Sequence, residues 1–74
     1  MATVLHLYKG GDAELALAAI ERARAAGDQV RVALLHGAAL SMLPAGVRVQ
    51  RVPEDLTWEA LLEQIFASDQ VVTW

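Results

Sequence analysis

Residues Thr3 to Tyr8 read TVLHLY, with apolar side chains at both odd and even positions, so a strand here has no polar face to turn to water. Such a strand needs cover on both sides, which is the situation of a central strand in a parallel sheet. Parallel neighbours require crossover connections. The 74-residue chain therefore has to alternate strands with helices or long loops.

The order of signals that follows fits this requirement. Lys9-Gly10-Gly11 breaks the first strand, and Asp12 is placed to cap a helix whose Ala16, Ile20, Ala23 and Gly27 recur at helical spacing. Glu14, Glu21, Arg22 and Arg24 take its wet face, and Gly27 ends it. Val30 to Leu35 (VRVALL) is a second apolar strand, completing one βαβ unit. His36 to Gly46 is irregular, with Gly37 and Pro44-Ala45-Gly46 interrupting an apolar segment suited to a helical turn. Val47 to Val52 alternates as a strand with one wetter face. After the loop Pro53 to Leu56, Thr57 caps a helix carrying Trp58, Leu61, Leu62, Ile65 and Phe66 on its apolar side. Gln70 to Trp74 closes as a short strand. The expectation is one α/β domain over residues 1–74, a small, mostly parallel four-stranded sheet with helices packed on it, in the order β-α-β-loop-β-α-β.

The totals exclude several functions. The chain has no cysteine, which rules out a disulfide scaffold, a thiolate-held metal and a persulfide of its own. Six basic residues are scattered against nine acidic ones, for a net charge of −3, so direct nucleic-acid binding is not expected. No apolar run approaches the roughly 20 residues that span a bilayer, and the first residues lack the pattern of a signal peptide. A cytoplasmic protein without membrane contact is expected. At 55% hydrophobic residues in so short a chain, some apolar surface is expected to meet another subunit.

In open parallel sheets ligands bind beyond the carboxyl ends of the strands. Those ends deliver Lys9-Gly10-Gly11, His36-Gly37 and Asp55, which are the candidates for a ligand site or an interface. The Gly10-Gly11-Asp12 turn has no phosphate-loop pattern, and Asp12 would repel an anion there, so a capped turn is the better reading. His36 is the one group suited to acid–base work. No nucleophile motif accompanies it, so an enzyme using His36 with Asp55 ranks last. His6, inside the first strand, reads as a hydrogen-bonded structural group. Two histidines and loop carboxylates form no metal signature, and neither a metal nor another cofactor is expected. Trp58, Leu62, Phe66 and Trp74 are the interface candidates, with Trp74 divided between interface and the domain's own core.

Val4-Leu5-His6 followed by Lys9, then Glu54-Asp55-Leu56, then Leu61-Leu62-Glu63 and Asp69 to Trp74 together resemble the TusB/DsrH family of the DsrE-like superfamily. The resemblance covers most of the chain in order. It departs where a segment with an additional strand is missing between Leu56 and Thr57, and where His36-Gly37-Ala38 replaces an acidic turn. It implies a reduced flavodoxin-like sheet and a subunit of a sulfur-relay complex, passing persulfide sulfur toward tRNA 2-thiouridine synthesis or serving dissimilatory sulfur metabolism. Partners implied are cysteine-bearing DsrE/TusD-like and DsrF/TusC-like subunits. Some DsrH-type members carry a cysteine on the first helix, where this chain has Ala18-Ala19-Ile20, so the role implied is non-catalytic. The alternative reading is a small homo-oligomeric module that binds an anion or another ligand and has no part in sulfur transfer.

Overall fold

The computed structural model describes residues 2–40, 43–44 and 46–74. Its elements run β1 (Thr3–Tyr8), α1 (Ala13–Ala25), β2 (Gln29–Leu34), β3 (Arg48–Arg51), α2 (Trp58–Ala67) and β4 (Gln70–Thr73). The four strands form one all-parallel sheet in the order β3-β2-β1-β4. This is a small α/β architecture consistent with a flavodoxin-like fold, and β1 is a central strand, as its two apolar faces require.

Successive side chains of β1 feed two separate cores. Tyr8 joins Ala16 and Ile20 of α1 with Val30, Val32 and Leu34 of β2. Leu5 joins Ala33, Leu35, Val52 and Leu56 with Leu61 of α2 on the opposite face. The sheet is thus covered on both faces, and side chains such as Leu5 and Ile20, with no exposed area, each contribute roughly 1.5–3 kcal/mol through burial.

Local chemistry sets the helix starts. Asp12 accepts a hydrogen bond from Leu15 N–H (3.1 Å), and Thr57 Oγ1 accepts one from Ala60 N–H (3.1 Å), so both expected N-caps form. Helix α1 ends at Ala25, and Gly27 takes φ 88° just beyond it. At the amino ends of the strands, Asp28 Oδ1 accepts from Ala2 N–H (3.3 Å) and Asp69 Oδ2 from Thr3 N–H (2.7 Å).

One expectation falls partly outside the described residues, and two others need correction. The helical turn expected within His36 to Gly46 falls partly on Ser41, Met42 and Ala45, which lie outside the described residues; the described residues around them form no helix. Strand β3 is shorter than Val47 to Val52, and Val49 is exposed along with Arg48, because an edge strand receives cover from one neighbour only. The third concerns α2. Of the five residues placed on its apolar side, only Leu61 is buried, while Ile65 is partly packed and Trp58, Leu62 and Phe66 stand in solvent. At about 100° per residue, the apolar sector from Leu61 round to Phe66 spans roughly 140°, wider than the line along which one helix meets a sheet. No helix among the described residues is long and apolar enough to cross a membrane.

Candidate functional site

The strand order reverses at β1, so the carboxyl ends of β1 and β4 flank the point where open α/β sheets take ligands. Here the two backbones meet each other. Trp74 N–H donates to Leu7 O (2.8 Å) and Lys9 N–H donates to Trp74 O (3.1 Å). A Cβ on Gly11 would lie 2.9 Å from the Trp74 carbonyl carbon, so glycine is needed for this closure. Tyr8 Oη–H donates to Gly11 O (2.8 Å), and Gly10, at φ 102°, turns the chain toward α1. Lys9 is exposed above this closure, and the Leu15 N–H in the first turn of α1 is already taken by the Asp12 carboxylate.

At the carboxyl end of β2, His36 and Gly37 take φ 56° and 73° and lie exposed. The His36 ring sits 6.2 Å from the Trp58 ring, tilted by 47°. Asp55 is turned elsewhere: its Oδ2 accepts from Arg51 N–H (3.0 Å) and Arg51 Nε–H (3.2 Å). Those two hydrogen bonds hold the Asp55 carboxyl below the usual carboxylate range. The structure therefore joins His36 to the start of α2 through Trp58, and gives Asp55 to Arg51.

Trp58, Leu62 and Phe66 follow one another at four-residue spacing and form a continuous stripe along α2. They are 50%, 53% and 81% exposed. Helix α2 carries no basic residue; its charges are Glu59 and Glu63, and Glu54 and Asp55 precede it. The fourth interface candidate, Trp74, is only partly exposed and packs on the α1-side core.

A second feature pairs two residues that the sequence treated separately, the structural histidine His6 and Trp74. His6, 2% exposed, accepts at Nδ1 from Trp74 Nε1–H (3.0 Å), the rings stacked at 6.2 Å and 14°. Because an indole nitrogen only donates, His6 Nδ1 is unprotonated and the ring proton lies on Nε2. Nε2 has no hydrogen-bond partner within the described residues. Burial pushes the His6 pKa below its ordinary value, keeping the ring neutral. His6 borders a cavity of about 280 Å³ between α1 and the β1–β4 pair. Only the alternation that puts Val4, His6 and Tyr8 on one face hinted at this in the sequence. The partner Trp74, 68 positions away, did not show.

A larger hollow of about 510 Å³ at Arg24, Asp28, Gln29 and Gly46 is bounded mostly by exposed residues and, among the described residues, holds no unsatisfied buried side-chain group. Among the described residues, no cluster of three or more His, Asp or Glu side chains is placed to hold a metal ion. No protein-family model, no curated protein and no solved structure matches the chain, so its functional reading rests on the residues described above.

Proposed function

We propose that the chain is a non-catalytic, protein-docking subunit of the TusB/DsrH type, acting in the cytoplasm within a sulfur-relay complex beside cysteine-bearing DsrE/TusD-like and DsrF/TusC-like subunits. The observation that carries this reading is the Trp58-Leu62-Phe66 stripe, with Phe66 81% exposed on the helix. Three large apolar side chains in a row are what an interface core uses, and aromatic residues are enriched there. Persulfide transfer needs a sulfur nucleophile, and a chain without cysteine can contribute binding and orientation only.

The charges around the stripe indicate the partner's chemistry. Glu59 and Glu63 flank it with no basic residue on the helix, so two copies packed helix to helix would bring carboxylates together. The complementary surface is an apolar pocket rimmed by Lys or Arg.

The test is affinity purification of the tagged chain from its native host under reducing, low-salt conditions, with mass spectrometry of the bound proteins. A small cysteine-bearing protein should copurify, and Phe66→Asp should release it while leaving the melting temperature within a few degrees of the parent. Recovery of the chain alone, as a homo-oligomer, would overturn the reading. So would retention of the partner by Phe66→Asp.

A further inference from the structure

We propose that the open edge of β4 is a self-pairing surface. Two copies of the chain join antiparallel along Gln70 to Trp74, about a two-fold axis at Val72, and their sheets become one continuous sheet. The surface is the backbone of β4, so it does not rest on the docking stripe of α2, which stays free in the pair.

The two edges of the sheet are treated unequally. The order β3-β2-β1-β4 leaves β3 and β4 with one neighbour each, and such an edge presents N–H and C=O groups that another strand can pair with. On the β3 side, Val52 N–H donates to Leu34 O (2.9 Å), so alternation turns Arg48 and Gln50 toward β2, and Val49 and Arg51 outward. The outward groups of Arg51 are already taken. Its N–H donates to Asp55 Oδ2 (3.0 Å), and its carbonyl oxygen accepts from Asp55 N–H (2.7 Å) and Leu56 N–H (3.1 Å). Arg48 and Arg51 add charge to this edge, which is a common protection against pairing.

Strand β4 has no such protection. Trp74 N–H donates to Leu7 O (2.8 Å) and Trp74 O accepts from Lys9 N–H (3.1 Å), so Gln70, Val72 and Trp74 face β1. Val71 and Thr73 therefore turn both their N–H and C=O groups outward. No loop or side chain among the described residues hydrogen-bonds them. The strand, Gln70-Val71-Val72-Thr73, carries neither charge nor proline, and Val71 is 37% exposed. The two buried cores join both helices to β1 and β2 and include no residue of β4, so neither helix closes this edge.

A second copy fits the edge because the strand is complementary to itself. With Val72 opposite Val72 of the other copy, Val71 exchanges both backbone hydrogen bonds with Thr73 of that copy, and Thr73 does so with its Val71. Every outward group along the two strands then has a partner. The two Val72 side chains meet at the non-hydrogen-bonded position, where cross-strand side chains approach closest, and Gln70 of each copy lies beside Trp74 of the other. No charge opposes a like charge within the paired span. Asp69 falls outside it, its carboxylate held by Thr3 N–H (2.7 Å). Two β3 edges, by contrast, would bring arginines together with Arg51 already occupied.

The experiment is sedimentation velocity of the full chain from about 10 μM to about 1 mM, with backbone amide hydrogen exchange read by NMR at both ends of the range. The parent should pass from monomer to dimer. Its Val71 and Thr73 amides should exchange at least about tenfold more slowly at the higher concentration, with the Val49 amide unchanged. Val71→Pro removes an outward donor without touching the β1 ladder, at a position where an edge strand tolerates proline. It should stay monomeric throughout and melt within a few degrees of the dilute parent, whereas Val49→Pro and Phe66→Asp should dimerise as the parent does. A parent that is monomeric at the highest concentration, or Val71 and Thr73 amides that do not respond to concentration, would overturn self-pairing and leave the docking reading standing. Dimers that survive Val71→Pro would overturn it as well. Dimers lost in Phe66→Asp would place self-association on α2 and overturn both readings.

Discussion

At the scale of single residues, the closure between β1 and β4 depends on what Gly11 and Trp74 leave out and supply. Gly11 is the tighter constraint, because the atom that a Cβ would meet at 2.9 Å belongs to backbone, which cannot swing aside as a side chain can. Gly11→Ala should therefore destabilise the fold by about 1–3 kcal/mol, measured by urea denaturation. Gly10→Ala meets no neighbouring atom but must hold φ 102°, so its loss should be of the order of 1 kcal/mol and owed to backbone strain alone. Trp74 supplies one hydrogen bond that phenylalanine cannot. Trp74→Phe retains an aromatic ring and strips the donor from His6 Nδ1, leaving a buried acceptor without its partner at a cost of about 1–3 kcal/mol. The indole is thus committed inside the domain, and a Trp74 variant reports on folding before it reports on any partner.

At the scale of elements, α2 divides into two sides that the same measurement can separate. Leu61 is buried against Leu5, Ala33 and Leu35, so Leu61→Ala should cost about 2–5 kcal/mol. Phe66, one residue past the next turn, should be replaceable by Ala with a change within about 0.5 kcal/mol in the isolated chain. A large loss at Phe66 would mean that the stripe packs on this chain and is no docking surface. The contrast also shows which features could be read in advance. Asp12 and Thr57 act within four residues of themselves, and the two-sided burial of β1 follows from alternation alone, so both caps and the central strand were legible. The division of α2 was not, since five apolar residues share one sector and only the line of contact with the sheet decides which are covered. The His6 cavity was less legible still, because it is assembled from β1, α1 and β4, and its decisive hydrogen bond joins residues 68 positions apart.

At the scale of the whole molecule, the two cores and the sheet between them unfold as one unit, so groups titrated far apart should add in a single pH profile of stability. His6 sets the first limb. Its folded pKa is depressed, so from about pH 6.5 downward the unfolded chain takes up a proton that the folded chain refuses, and stability falls as pH falls. Above that pH both states carry neutral His6 and the stability is fully present. The charges bordering the ring's cavity are Arg22 and Asp28, which pull in opposite directions on the imidazolium, so burial is what lowers the pKa. Asp55 sets the second limb, since its carboxyl is held below 3.8 by Arg51, and the stabilisation it gives above that value is lost as pH falls toward its folded pKa. Thermal melts of dilute protein between pH 8 and pH 3 should therefore descend in two stages. Asp55→Asn should flatten only the lower stage, because the Arg51 contact is exposed and separate from the His6 cavity. His6→Gln should lower the whole curve by leaving cavity and indole poorly matched, and it should remove the fall that begins at about pH 6.5. A profile unchanged in that upper window by His6→Gln would show that the ring is not kept neutral by the fold, and would remove the basis for assigning its proton to Nε2.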